Sequence, residues 1–395
     1  MIIGIPKEIY PGERRVALTP AALPALLKNG FEVLIQKDAG LAAGFPDADY
    51  QGRGARIAAT REEVFQAGDI IAQVLAWGAN DVNGRDDLPL LRRGQYLTGF
   101  LRPFGEKATL EAIAQSGAIA LALELMPRIT RAQSMDVLSS MATVSGYKAV
   151  LLAAQLLPRF FPMLTTAAGT ITPARVLIIG VGVAGLQAIA TARRLGAVVS
   201  AYDVRPAVKE QVQSLGARFV ELPLETQGAE DKRGYAVAQD EAFYRKQREL
   251  LGKAVSESHV VITTAVVPGR KAPILVTAEM VKGMAPGAVI VDLAAERGGN
   301  CELTQPRTTA EVQGVRIVGE VNLAATVPHD ASQLYARNIS TFLQHAFPKG
   351  QNQPDWNDEI LRETLLTREG EIAQPRIREF LQLPPLPAGA ASGAR

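Results

Sequence analysis

Cysteine is nearly missing from this chain: Cys301 stands alone, so no internal disulfide can form and a reducing intracellular compartment is expected. Histidine is almost as scarce. His259, His329 and His345 all lie far from Cys301 in sequence, so the thiol reads as buried or incidental rather than as a nucleophile. No metal site is expected. Charge of one sign is also lacking: 42 basic and 40 acidic side chains leave a formal +2, with no long basic run to hold nucleic acid or an acidic membrane surface. Long hydrophobic runs are absent too. Residues 70–77 are interrupted by Gln73 and residues 149–157 by Gln155, well short of the roughly 20 apolar residues a span needs. The start, Met1 to Lys7, has neither the basic opening nor the apolar core of a secretory signal. The chain is therefore expected not to cross a membrane by itself.

What is present is a globular composition, 47% hydrophobic and 21% charged, over 395 residues. That length exceeds one ordinary core and suggests two domains. Apolar runs at 2–5, 32–35, 70–74 and 118–123 read as buried strands, and 19–29, 61–66 and 107–115 between them as helices. Thr19 followed by Pro20 marks a helix start, and Gly30 a stop. Residues 134–157 lack proline and carry apolar residues at helical spacing, so one long helix is predicted there, ended by Pro158 and Pro162. A second series of strands follows at 175–179, 198–202, 218–220, 259–263, 288–292 and 315–319, and 330–347 reads as helical again. Strands alternating with helices imply parallel sheets. The predicted fold is α/β, with two doubly wound Rossmann-like domains joined by a long helix. The boundaries expected are 1–141 completed by 324–382, then 142–323. Residues 221–240 read as a long polar loop and 383–395 as a flexible tail.

Residues 175–188 are a buried strand running into Gly180-Val181-Gly182-Val183-Ala184-Gly185 and then a helix. In such a turn Gly180 makes the tight bend, Gly182 lets the backbone approach a pyrophosphate, and Gly185 lets helix pack on strand. The helix N-terminus, with Val183 and Ala184 in its first turn, then favours the phosphate charge. The glycine pattern alone is a weak signal, but the flanking strand and helix agree with it. So does Asp203, which ends the next strand 23 residues after Gly180 and is flanked by Val204 and Arg205. A carboxylate there accepts both ribose hydroxyls and repels a 2′-phosphate, which favours NAD(H) over NADP(H). Arg205 is the counter-consideration, because an arginine can hold that phosphate.

A second polar island runs from Met126 to Ser140 and contains Arg128, Gln133, Asp136 and Ser139. Arg128 and Asp136 have the chemistry to stiffen a loop, and Gln133 carries donors and an acceptor suited to a carboxamide or a ribose hydroxyl. On residue types alone, a solvated helix start capped by Ser134 is the alternative reading. Taken with Pro6-Lys7-Glu8, Pro11 to Ala17, 166–170, 180–192, Asp203-Val204-Arg205, 263–269 and 292–299, the chain resembles the NAD(H)-binding alpha component of proton-translocating NAD(P) transhydrogenases. That group belongs to a superfamily shared with alanine dehydrogenase, and the resemblance reaches to about Phe347. The Arg-x-x-x-x-Gln-x-x-Asp pattern is specific to the transhydrogenases. The resemblance implies that Arg128, Gln133, Asp136 and Ser139 surround the nicotinamide. It implies that the loop bearing Gly234 and Tyr235 is a closing flap, and that Val266, Val267 and Pro268 line the ribose side.

It further implies a partner subunit holding NADP(H), membrane subunits that conduct protons, a homodimer, and a cytoplasmic location peripheral to the inner face of the membrane. The alternative is an amino-acid dehydrogenase related to alanine dehydrogenase, which must remove a proton along with the hydride. The related dehydrogenases place a lysine after the strand at 70–74 and a histidine after the one near 96–97. Here Gln73, Leu75, Ala76 and Trp77 occupy the first place and Thr98 to Leu101 the second. Hydride transfer between two nicotinamides needs only positioning. Arg15 remains a candidate for a carboxylate, Glu296 for lining the pocket, and His329 for a role not settled by sequence. A third reading is a non-catalytic NAD-sensing module.

Overall fold

The computed structural model describes residues 1–223, 241–267 and 269–386. Gly234, Tyr235 and Pro268 lie outside the described residues, as does most of the expected loop at 221–240. The chain divides into two compact units, Met1–Met141 with Ala325–Arg395, and Ala142–Ala324.

The first unit is built on β1 (Ile2–Ile5), β2 (Glu32–Gln36), β3 (Arg56–Ala58), β4 (Ile70–Leu75), β5 (Tyr96–Phe100) and β6 (Ile119–Ala122). They pair in parallel in the order β3-β2-β1-β4-β5-β6. In the second unit, β7 (Leu164–Thr166) and β8 (Gly169–Ile171) form a separate antiparallel ribbon. The main sheet there contains β9 (Arg175–Ile179), β10 (Val198–Tyr202), β11 (Arg218–Phe219), β12 (Val260–Thr263), β13 (Val289–Asp292), β14 (Thr309–Val312) and β15 (Val315–Val318). Its order is β11-β10-β9-β12-β13-β15-β14, parallel except for β14. The remaining strands, β16 (Leu365–Arg368) and β17 (Glu371–Ile372), extend the first sheet antiparallel beyond β6.

Both sheets thus carry the 3-2-1-4-5-6 order of a doubly wound fold, whose ligand crevice lies at the carboxyl ends of the strands where the order reverses. That point falls between β1 and β4 in the first unit and between β9 and β12 in the second. The central strands are mostly apolar, and Ile70 to Val74 and Val260 to Thr263 are buried throughout, Gln73 and Thr263 included, as parallel strands covered on both faces require.

The predicted long helix begins three residues later than expected, at Val137–Leu156. A 3-10 turn, Thr130–Met135, takes its first part. Asp136 separates the two and accepts from Ser139 N–H (2.9 Å) and Ser139 Oγ–H (2.5 Å), so Asp136 rather than Ser134 caps the helix. This helix is long and apolar enough by length and composition to cross a membrane, with a mean hydropathy of 1.4, which the interrupted runs had not led us to expect. Its Ala149, Val150 and Ala153 belong to the apolar core of the second unit.

The predicted helix at 19–29 is shorter and split, a 3-10 turn at Pro20–Ala22 followed by Leu23–Lys28, because Pro24 falls in the middle of the expected span. The start of the expected tail is held: Leu383 N–H bonds Arg378 O and Arg378 Nε bonds Pro384 O. The helix Glu241–Ser256 and strands β3, β14, β16 and β17 were not expected from sequence.

Candidate nucleotide site

In the second unit the chain leaves β9 directly into the glycine turn. Gly180 has φ +96°, a left-handed conformation that a side chain resists. A Cβ on Gly185 would lie 2.0 Å from Gly180 O, so any side chain there pushes helix from strand. Gly182, by contrast, is exposed and has nothing within 4 Å of where its Cβ would stand, which leaves the backbone open to a ligand. The helix Val183–Arg194 starts at once behind it with no side-chain cap. Its first-turn N–H groups therefore lack partners within the helix and offer an anion the positive end of its dipole.

Asp203 is held close beside that turn. One carboxylate oxygen accepts Val181 N–H at 2.7 Å and Arg205 Nη2 at 2.8 Å; the other accepts Arg205 N–H and Nε, both at 2.9 Å. The acid therefore closes the glycine turn as well as ending β10. Arg205 also donates to Val181 O at 3.1 Å, so its guanidinium is engaged on the acid and the turn.

On the other side of the switch point Thr264 N–H bonds Ile179 O, and Thr264 Oγ–H donates to Gly180 O (2.9 Å). Val266 is 37% exposed and Val267 half-buried. The loop that carries them is fastened by Asn300, which is fully buried. Its Oδ1 accepts Ala265 N–H, and its Nδ2 donates to Ala265 O and Pro273 O. Asn300 N–H in turn bonds Asp292, whose carboxylate also accepts from Thr263, Ala294, Cys301 and Thr304. This hub was not read from sequence, where Asn300 only begins a turn. Its signal was an acid at a strand end followed by Gly298-Gly299-Asn300. Glu296 is exposed, and burial pushes the Cys301 thiol up to about 11, consistent with an inert sulfur. A further glycine also went unread: a Cβ on Gly146 would stand 2.1 Å from Ala184 O, so this helix position abuts the back of the nucleotide turn.

In the first unit Arg128 and Gln133 are exposed, and Asp136 and Ser139 are bonded to each other as the helix cap. Asp136 N–H also reaches Gln133 O at 3.3 Å. The switch point of this sheet is filled by protein groups. Glu8 accepts Val74 N–H (2.6 Å) and Leu75 N–H (3.1 Å), and burial, with Glu13 nearby, raises its carboxyl from 4.5 to about 8. Arg15, 3% exposed, makes a two-point pair with Glu13 at 2.8 and 2.6 Å. Gln73 and Thr98 are both buried, within β4 and β5.

The three histidines have structural partners. Burial, with Arg159 and Arg175 adding to it, lowers His259 to about 4; its ring nitrogens face Arg175 N–H and Arg159. His345 bonds Asp358 at 3.0 Å. His329, left open by the sequence, stacks on Phe45 and contacts Ala43 O and Gln333. Among the described residues no group of acids, histidines and cysteine is arranged to hold a metal ion.

Two family models match in succession, "Alanine dehydrogenase/PNT, N-terminal domain" over residues 4–145 and "Alanine dehydrogenase/PNT, C-terminal domain" over 149–375. The chain is 44% identical over 380 residues to an NAD(P) transhydrogenase subunit alpha chain of Rhodospirillum rubrum, the first of the pieces that make up that subunit, covering 95% of this chain and 99% of that one. It is 29% identical over 392 residues to the alanine dehydrogenase of Mycolicibacterium smegmatis, covering 97% and 98%. A solved transhydrogenase structure from Sinorhizobium meliloti superposes with a TM-score of 0.81 at 42% identity, covering 95% of this chain and all of that one. With both halves matched in order and relatives at this identity spanning nearly its whole length, the chain belongs to the alanine dehydrogenase/PNT family.

Proposed function

We propose that this chain is the NAD(H)-binding component of a proton-translocating NAD(P) transhydrogenase. NAD(H) binds at the turn 180–185, with its pyrophosphate on the helix N-terminus and its adenosine ribose on Asp203. Val204, Arg205, Val266 and Val267 complete the pocket. Because Arg205 is engaged on Asp203, it offers little to a 2′-phosphate, and the site selects NAD(H). Arg128, Gln133, Asp136 and Ser139 meet the nicotinamide, and the hydride passes to or from NADP(H) on a partner subunit. Membrane subunits couple that exchange to proton movement, and the chain works as a homodimer attached peripherally through its partners on the cytoplasmic side.

The observation that carries this reading over amino-acid dehydrogenation is the pair Gln73 and Thr98. Neither side chain takes up a proton near neutral pH. Nearby, Glu8 has its carboxyl raised to about 8, but both its oxygens accept from the Val74 and Leu75 N–H groups. Direct transfer between nicotinamides needs no acid or base, only alignment.

The test is two assays on the purified full-length chain. With the NADP(H)-binding partner added, NADH and an NADP analogue should exchange hydride rapidly, while NAD and alanine alone should give no turnover. Robust alanine oxidation would replace this reading with the dehydrogenase, and NADH binding without exchange would leave a nucleotide-sensing module.

A further inference from the structure

The helix Pro328–Ala346 is amphipathic, and its buried stripe runs through Ala331, Tyr335, Ile339, Phe342 and Ala346. Asn338 falls on that stripe and is only 8% exposed. A buried amide among apolar neighbours is costly unless both ends are satisfied. Here they are, and both partners lie in the segment bearing Gln133, Asp136 and Ser139. Asn338 Nδ2 donates to Ser134 O at 2.8 Å, and Asn338 Oδ1 accepts Ser140 Oγ–H at 2.6 Å.

Those two contacts bracket the change from the 3-10 turn Thr130–Met135 to the helix beginning at Val137. The turn's own bonds, Ala132 N–H to Ile129 O at 3.0 Å and Asp136 N–H to Gln133 O at 3.3 Å among them, are of the 3-10 kind, poorer in geometry than α-helical ones. Its earlier end is tied by Arg131, which bonds Asp358 at 2.7 Å. Burial works against the Asp358 charge, but the bonds from His345 and Arg131 hold the carboxyl down to about 2. The helix bearing Asn338 is itself fixed, since Tyr335 Oη–H donates to Gln73 O at 2.7 Å and Ser332 Oγ accepts Val16 N–H at 3.0 Å.

We propose that Asn338 is a positioning residue for hydride transfer. It sets where Gln133, Asp136 and Ser139 stand by holding the Ser134 carbonyl and the Ser140 hydroxyl in one amide. The inference rests on the reading that this segment meets the nicotinamide. Asparagine suits the task because one planar group supplies a donor and an acceptor; aspartate keeps only the acceptor. A misplacement of about 1 Å in such a segment costs on the order of a hundredfold in rate, whereas the adenosine end of the nucleotide is held by other residues.

The experiment compares the full chain with Asn338→Ala, Asn338→Asp and Ser140→Ala, each mixed with the NADP(H)-binding partner. It measures single-turnover exchange between NADH and an NADP analogue, NADH affinity by fluorescence, and thermal melting. We expect Asn338→Ala and Asn338→Asp to slow exchange by about ten- to a hundredfold, with NADH affinity within about threefold of the parent because adenosine and pyrophosphate contacts dominate it. Ser140→Ala breaks one of the two bonds from the far side, so it should fall between them and the parent; it carries the test if neither Asn338 variant folds. Exchange unchanged in the folded variants would overturn the proposal. So would a loss of affinity and melting temperature in step with rate, which would make Asn338 merely structural. A parent chain that binds NADH yet exchanges nothing would instead sink the functional reading beneath it.

Discussion

The two sheets reverse strand order in the same way, yet their switch points hold opposite contents. In the second unit β9 passes into its helix within three residues, so unpartnered N–H groups of the helix start stand where the topology opens a crevice. In the first unit β1 is followed by a longer excursion before the first helical turn at Pro20. The corresponding space is occupied by Glu8 on the β4 N–H groups and by the Glu13–Arg15 pair. One topology thus yields a backbone anion site where the turn is short and glycine-rich, and a side-chain-filled interior where it is long and polar. Topology says where a ligand could bind; the length and composition of one loop decide whether the place is open.

The sharpest way to break the contrast is at Gly185. Alanine there places Cβ against Gly180 O, so the strand-to-helix junction must open. Overpacking of this kind costs about 1–3 kcal/mol, and NADH binding, measured by fluorescence titration, should fall about a hundredfold because the turn itself moves. Gly4→Ala in the first unit, whose Cβ would meet Val64 and Ile71 side chains, should destabilise by a similar ~1–3 kcal/mol but leave NADH affinity unchanged. If Gly4→Ala weakens NADH binding as much, the division of labour between the sheets is wrong.

Next in size is Asn300→Ala. It leaves Ala265 N–H, Ala265 O and Pro273 O without their buried partner. At about 1–3 kcal/mol for each unmet buried group, partly relieved by relaxation, about 3 kcal/mol should be lost in urea unfolding. NADH affinity should drop with it, because Val266 and Val267 lie on the loop it holds. A variant as stable as the parent would show that the hub is not needed.

Asp203→Asn removes the charge but keeps the shape. Losing a charge-assisted bond to ribose, about 1.5–3 kcal/mol, predicts roughly a tenfold or greater loss of NADH affinity. Selectivity over NADPH should narrow at the same time, as Arg205 is released. Unaltered selectivity, measured by paired titrations, would mean that Asp203 does not discriminate.

The smallest effect concerns the filled switch point. Glu8 binds its proton more tightly in the folded chain, at about 8, than at its ordinary 4.5. Its contribution to stability is therefore full below about pH 4.5 and is lost as pH rises toward 8. Between pH 5 and 8 the parent should lose stability relative to Glu8→Gln, whose own profile should be flatter. Parallel pH profiles of melting temperature for the two proteins would refute this.

Much of this was legible beforehand wherever one stretch of chain carries its own physics. The glycine turn, the acid ending β10 and the apolar strands of both sheets follow from local conformation and period, which neighbours in sequence determine. The boundary at Asp136 was misplaced because Ser134 and Asp136 are both able caps, and only the bonds to Ser139 choose between them. The strands β3, β14, β16 and β17 went unseen because each is two to four residues long and mixes polar with apolar side chains, leaving no apolar run to mark it.

By itself, then, the sequence determined that two parallel α/β sheets form and that one of them opens on a dinucleotide turn. Only the tertiary structure decided that Asp203 braces the turn, that Asp292 and Asn300 fasten the facing loop, and that Asn338 grips the segment around Gln133. Besides near neighbours, those residues hold partners between 8 and 204 positions away. Hydrogen bonds of that reach leave no period and no motif; they exist only once the packed sheets and helices have brought their ends together.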